Sequence, residues 1–160
     1  MLGFDQSIVR RDLVRGRWNV FLRYLVASLA GHFVWEVLQL PFYTLWKTGT
    51  VGQQALAVVH CTLGDGVIAG LSLFLAVAVA GRAGWPRTTV TRVFLVSLVL
   101  GIGYTIVSEW LNVVVRGSWA YAELMPVVPV LGIGLTPLLQ WLVVPIVAQW
   151  FAVGWGAMPR

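Results

Sequence analysis

Four apolar blocks, each long enough to cross a bilayer, set the limits on what this chain can become. They fall at roughly residues 20–45, 54–80, 93–115 and 127–155. A hydrocarbon core about 30 Å thick takes about 20 helical residues to cross. Within it every backbone N–H and C=O needs a partner in the chain, so the blocks read as helices. Composition agrees, at 59% hydrophobic and 11% charged, against roughly 25% charged in a soluble domain. The expected fold class is all-α: a polytopic membrane protein with four transmembrane helices, forming a single membrane domain over residues 1–160.

Basic residues orient the spans. Arginines at positions 10, 11, 15, 17, 82, 87, 92 and 160 gather at one set of ends, and only Lys47 and Arg116 flank the other. By the positive-inside rule both termini are cytoplasmic, with the inner (plasma) membrane as the expected location. Trp46, Trp119 and Tyr121 then form an aromatic belt at the outer interface. The net charge of +5 is explained by orientation and anionic lipid, so the bilayer is the expected partner and nucleic acid is not. Residues 1–17 interleave Leu2, Phe4, Ile8, Val9, Leu13 and Val14 with arginines, the pattern of an interfacial amphipathic segment. The apolar run continues well past Ala27-Ser28-Leu29-Ala30, so this is an uncleaved first span rather than a signal peptide. Pro126, Pro129, Gly132 and Gly134 weaken the start of the last block. Val127 to Leu135 therefore reads as re-entrant or interfacial rather than as full helix.

The polar exceptions point to function. Gly31-His32-Phe33-Val34-Trp35-Glu36-Val37-Leu38-Gln39 sets His32 and Glu36 one turn apart on a helix. Asp65 and His60 lie in the second span, and Ser108, Glu109 and Asn112 in the third. Ionisable groups inside a membrane cost several kcal/mol by insertion scales and normally face protein or a water-filled cavity. Three carboxylates brought together cannot all stay ionised, so protons, a metal or a cationic ligand must neutralise them. Glu36, Asp65, Glu109 and Asn112 are the candidate ligand- or proton-binding residues. His60, Asp65, Glu36 and His32 are the candidate donors to a divalent metal, with Zn, Mn or Fe suited to imidazole and oxygen ligands. Each group also has a structural alternative as a hydrogen-bonding link between helices, the role expected for Gln39, Gln140 and Gln149. A single cysteine, Cys61, excludes an intrachain disulfide and a Cys-only metal cluster. The chain has no H-E-x-x-H, phosphate-binding loop or G-x-S-x-G motif.

Two short stretches echo each other in order. Glu36-Val37-Leu38-Gln39-Leu40 corresponds to Glu109-Trp110-Leu111-Asn112-Val113, and Leu63-Gly64-Asp65-Gly66-Val67 to Leu131-Gly132-Ile133-Gly134-Leu135. A parallel internal repeat about an axis along the membrane normal would leave this pattern.

Trp35-Glu36, Gln39, Pro41, His60, Gly64-Asp65, Ser108-Glu109, Asn112, Trp119-Ala120-Tyr121, Met125-Pro126, Pro137, Gln140-Trp141 and Pro145 together resemble small four-span inner-membrane proteins of bacteria. That likeness implies a fold and a location but no activity. In outline, His32 and Glu36 with Gly64-Asp65 and Gln140-Trp141 are also similar to the EXPERA superfamily of sterol isomerases and sigma-2-type receptors. That likeness implies a membrane cavity offering acidic residues to a cationic, sterol-like ligand. The chain departs from it in lacking an Arg-Tyr after Gly64-Asp65.

The sequence thus supports an acidic, His-containing intramembrane pocket for a cation, either a metal ion or protons, in transport or catalysis. The alternatives are a membrane enzyme or receptor for a lipid-like molecule, and a structural subunit of a larger membrane complex. A chain this small would suit a transporter best as a homodimer.

Overall fold

The structure, a computed structural model, describes residues 6–81 and 84–154, with side chains from Arg15 onward. Helix α1 runs unbroken over Gln6–Gln39. Pro41 lacks an N–H and disfavours helical geometry in the residue before it, so the chain tightens into a 3-10 turn at Leu40–Phe42. The amphipathic segment expected over 1–17 is, from Gln6, the first turns of this helix rather than a separate surface element. Residues 1–5, the side chains of 6–14, Arg82 and Arg160 lie outside the described part.

A single helical turn, α2 (Leu45–Thr48), leads to α3 (Val51–Ala76). The start of α3 is a capping box. The Gln53 N–H donates to Thr50 Oγ1 (3.3 Å), and the Thr50 N–H donates to Gln53 Oε1 (2.9 Å), which satisfies two otherwise orphaned donors. The Gln54 amide nitrogen donates to the carbonyls of Trp46 (3.1 Å) and Gly49 (3.2 Å), tying the preceding loop down. Helix α3 continues as a π-helical turn, Val77–Gly81. Helix α4 (Val90–Glu109) ends in a second π-helical stretch, Trp110–Val115.

A two-stranded hairpin follows, with β1 (Val127–Val128) antiparallel to β2 (Ile133–Gly134). Val130 at its tip has φ +75° and Gly132 φ +67°, the left-handed geometry that a tight turn requires. The last helix, α5, is Leu135–Val153, with Pro145 inside it. The expected block 127–155 therefore divides, and only its second part is helix.

Four segments have the length and apolarity to cross a bilayer: Arg15–Phe42, Val51–Gly81, Val90–Val115 and Leu135–Val153. The chain is an all-α, multi-pass membrane protein. Helix α1 packs on α3 and α5, and α4 packs on α3 and α5, closing a four-helix ring. Small residues set the close approaches. A Cβ on Gly31 would lie 2.8 Å from Val144 Cγ1, one on Gly66 would strike Leu29, and one on Gly101 would strike the Trp141 ring. The half of the ring nearest the termini is filled by Tyr24, Ala69, Leu73, Ala76, Trp85, Val93, Ala148 and Ala152. The opposite half holds the intramembrane carboxylates Glu36, Asp65 and Glu109 with the amides of Gln39 and Gln140.

Only half of the sequence echo has a structural counterpart. Glu36 and Glu109 each lie near the end of a helix and line one cavity. Leu63–Val67 is helical, whereas Leu131–Leu135 runs through a turn and a strand into the start of α5. The second correspondence is therefore one of composition, since Pro126 and Pro129 preclude a continuous helix there.

Candidate functional site

Between the four helices, in the half away from the termini, lies a cavity of about 360 Å³. Glu36 and Gln39 reach it from α1, His60, Cys61 and Asp65 from α3, Tyr104, Ser108 and Glu109 from α4, and Gln140 and Trp141 from α5. Tyr43, Asn112, Arg116 and Trp119 complete the wall. The three intramembrane carboxylates therefore share one cavity, in line with the acidic pocket expected from the sequence.

Glu36 and Asp65 are joined through the side-chain amide of Gln140. Its nitrogen lies 3.0 Å from Glu36 Oε1, 2.9 Å from Asp65 Oδ2 and 2.9 Å from His32 Nδ1. The Gln39 amide adds a donor to Glu36 Oε1 (2.8 Å) and reaches Gln140 Oε1 (3.2 Å). An amide carries only two hydrogens, so it cannot donate to all three neighbours. His32 Nδ1 and Asp65 Oδ2 are 3.3 Å apart, so the tautomer of His32 with its hydrogen on Nδ1 supplies the missing donor. His32 is fully buried and tilts against Trp141, with ring centroids 5.1 Å apart. It stands behind the cavity wall rather than in the wall.

The third carboxylate is held separately. Glu109 is buried at the junction of α4 with its π-helical extension. The Tyr121 hydroxyl donates to Glu109 Oε2 and accepts the Gly134 N–H at 2.8 Å, so strand β2 and Glu109 are fixed to one phenol. Burial, and then the hydrogen bond to Glu109, push the Tyr121 hydroxyl well above the ordinary tyrosine value. Tyr43 is raised too, by burial first and then by the nearby charge of Glu109.

Two loops meet over the cavity. Tyr43 and Tyr121 form an antiparallel bridge, with the Thr44 N–H donating to the Ala120 carbonyl (3.0 Å) and the Ala122 N–H to the Phe42 carbonyl (2.9 Å). No protein-family model, curated protein or solved structure matches this chain.

The residues expected to hold a metal are not gathered as a donor set. Glu36, Asp65 and His60 line the cavity while His32 lies behind it. The space between His32, Glu36 and Asp65 is taken by the Gln140 nitrogen, whose hydrogens point where a cation would sit. Among the described residues no group of three His, Cys, Asp or Glu is placed to hold a metal ion. Asn112 lines the cavity, but its amide nitrogen bonds within its own helix, to the Ser108 carbonyl (2.9 Å) and hydroxyl (3.3 Å). Gln140, expected only as a link between helices, is the centre of the polar cluster. Tyr121, expected as an interfacial anchor, is the partner of Glu109. Spacing could not reveal either role, because each is made by a contact far away in sequence.

Proposed function

We propose that the protein binds a small amphipathic organic cation in this cavity, with Glu36, Asp65 and Glu109 supplying the countercharge. The observation that carries the reading is the convergence of three intramembrane carboxylates on one cavity of about 360 Å³ walled by Tyr43, Tyr104, Trp119 and Trp141. Cavities of roughly 300–1,000 Å³ suit small organic ligands, and aromatic faces attract cations. A bare ion would leave most of this volume empty. Arg116 is exposed in the wall near the loops, so the unbalanced negative charge lies deeper, at Glu36 and Asp65. His60 and Gly64 on α3 and Tyr104 on α4 line the cavity, are exposed and belong to membrane spans. This is where a lipid-soluble ligand enters from the bilayer.

Cys61, the single cysteine, lines the cavity and is partly exposed, which provides the test. Alkylation of Cys61 by N-ethylmaleimide, followed by intact mass in dodecyl maltoside, is expected to slow several-fold in the presence of dodecyltrimethylammonium. Dodecanol and dodecyl sulfate are expected to leave the rate unchanged, and Glu36→Gln with Asp65→Asn to abolish the cationic effect. Equal protection by the neutral alcohol would overturn the reading.

A further inference from the structure

On α1, Tyr24, Ser28, His32 and Glu36 follow one another four residues apart, each one helical turn above the last. Their exposures are 1%, 0%, 0% and 9%. An apolar ring needs no buried hydroxyls or imidazole, and each costs free energy to desolvate unless hydrogen-bonded. Yet His32 Nε2 and Ser28 Oγ, on residues one turn apart, are both buried without a well-formed hydrogen bond among the described residues, Ser28 having only Tyr24 beside it. A water between these two turns would satisfy both atoms. The groups facing the line are polar as well: Ser97 of α4 beside Tyr24, and Asp65 of α3 and Gln140 of α5 on His32 Nδ1.

We infer that this line is a proton relay joining the Glu36–Asp65 site to the half of the membrane nearest the termini. His32 is the hinge of the argument, because its two nitrogens face different surroundings. Nδ1 meets Asp65 and Gln140, while Nε2 is buried with no hydrogen-bond partner among the described residues. A proton leaving the carboxylate site is taken up at His32 Nδ1 as the Nε2 proton passes, through the bridging water, to Ser28 Oγ. Ser28 passes its own hydroxyl proton to the Tyr24 oxygen, and the Tyr24 phenolic proton goes to Ser97 Oγ beside it. The proton of Ser97 is taken up by water entering from the terminal side when the apolar packing beyond opens. One proton departs the site and one emerges, and every relay group keeps its original number of protons. Turning of the hydroxyls and a tautomer change at His32 reset the line. Tyr24 spans about 18 Å of helix axis with Glu36. Beyond it, Leu73, Val93 and Trp85 close the ring with apolar surface, so passage is gated and slow rather than that of an open channel. The inference does not depend on which ligand fills the cavity.

The test is proton flux into liposomes containing the full chain, with a potassium diffusion potential set by valinomycin and pyranine trapped inside. Wild-type vesicles are expected to acidify several-fold faster than protein-free vesicles. Tyr24→Phe and Ser28→Ala, each removing one oxygen atom, are expected to fall to the protein-free rate. Thr136→Val, whose lost hydroxyl bonds Met125 sulfur away from this line, is expected to match wild type. Helical circular dichroism and a single gel-filtration peak are required of every variant. Wild-type flux no greater than that of protein-free vesicles overturns the inference, and so does undiminished flux in both oxygen-deletion variants.

Discussion

At Gln140 the chemistry of the site comes down to counting hydrogens. Two N–H bonds face Glu36, Asp65 and His32, so the remaining contact rests on which nitrogen of His32 carries its hydrogen. A leucine of similar size would leave each of these buried groups short of a partner, at about 1–3 kcal/mol apiece. Tyr121 poses the same question outside the spans, where a titration can answer it. Its hydroxyl sits above the ordinary tyrosine value because of burial and its bond to Glu109. A raised folded value means that the contribution is fully present below the unfolded value, about pH 10, and is lost as pH rises through the folded value. Tyr121→Phe is therefore expected to lower the melting temperature by a constant amount at neutral and mildly alkaline pH. Above about pH 10 the gap from wild type is expected to narrow, as thermal scans in detergent would show. A gap unchanged up to strongly alkaline pH would separate Tyr121 stability from its hydrogen bonds.

At the scale of elements, close contact follows from the absence of a side chain. Gly101 of α4 lies beneath the Trp141 ring of α5, which also flanks His32. Gly101→Ala places a methyl group inside that ring, and overpacking of this kind costs about 1–3 kcal/mol. The melting temperature is expected to fall, and the displaced Trp141 to shift its tryptophan fluorescence. Helix existence was legible from hydropathy, and the weakness of 127–135 as a helix was legible from Pro126 and Pro129. The interruptions were not. Nothing in Trp110–Val115 announces a π-helical stretch, because its apolar residues suit either geometry and the choice is made by packing around Glu109. Nor does the spacing of 1–17 show whether the helix breaks at the interface. A shared site for Glu36 and Asp65 was expected from the cost of carboxylates inside a membrane, but Gln140 between them was not. Three helices had to meet before its role existed.

For the whole molecule, an even number of crossings by the four apolar helices is expected to leave Gly16 and Gly154 on one side of the membrane and the loops carrying Lys47 and Ser118 on the other. With Cys61 replaced by serine, a cysteine at Gly16 or Gly154 is expected to react with a membrane-impermeant maleimide from the side opposite one at Lys47 or Ser118. Labelling of Gly16 and Gly154 from different sides would require an odd number of crossings. The four-span reading was legible in the sequence. The asymmetry of the interior was not, since hydropathy averages over both halves of every span. Mainly apolar packing around a few buried hydroxyls and Gln149 fills the terminal half, and the carboxylates and the cavity occupy the other. A ring built this way resists deformation where it is dry and has room to rearrange where it is wet.

The loop bridge at Tyr43 and Tyr121 gives that difference a mechanical meaning. Phe42 and Thr44 belong to the first half of the chain, and Ala120 and Ala122 to the second, yet two backbone bonds fasten them across the cavity. The first and second halves are thus buckled together at a single point on the rim. Widening the rim at that point means undoing the buckle, whereas parting α3 from α4 at their wet ends leaves it fastened.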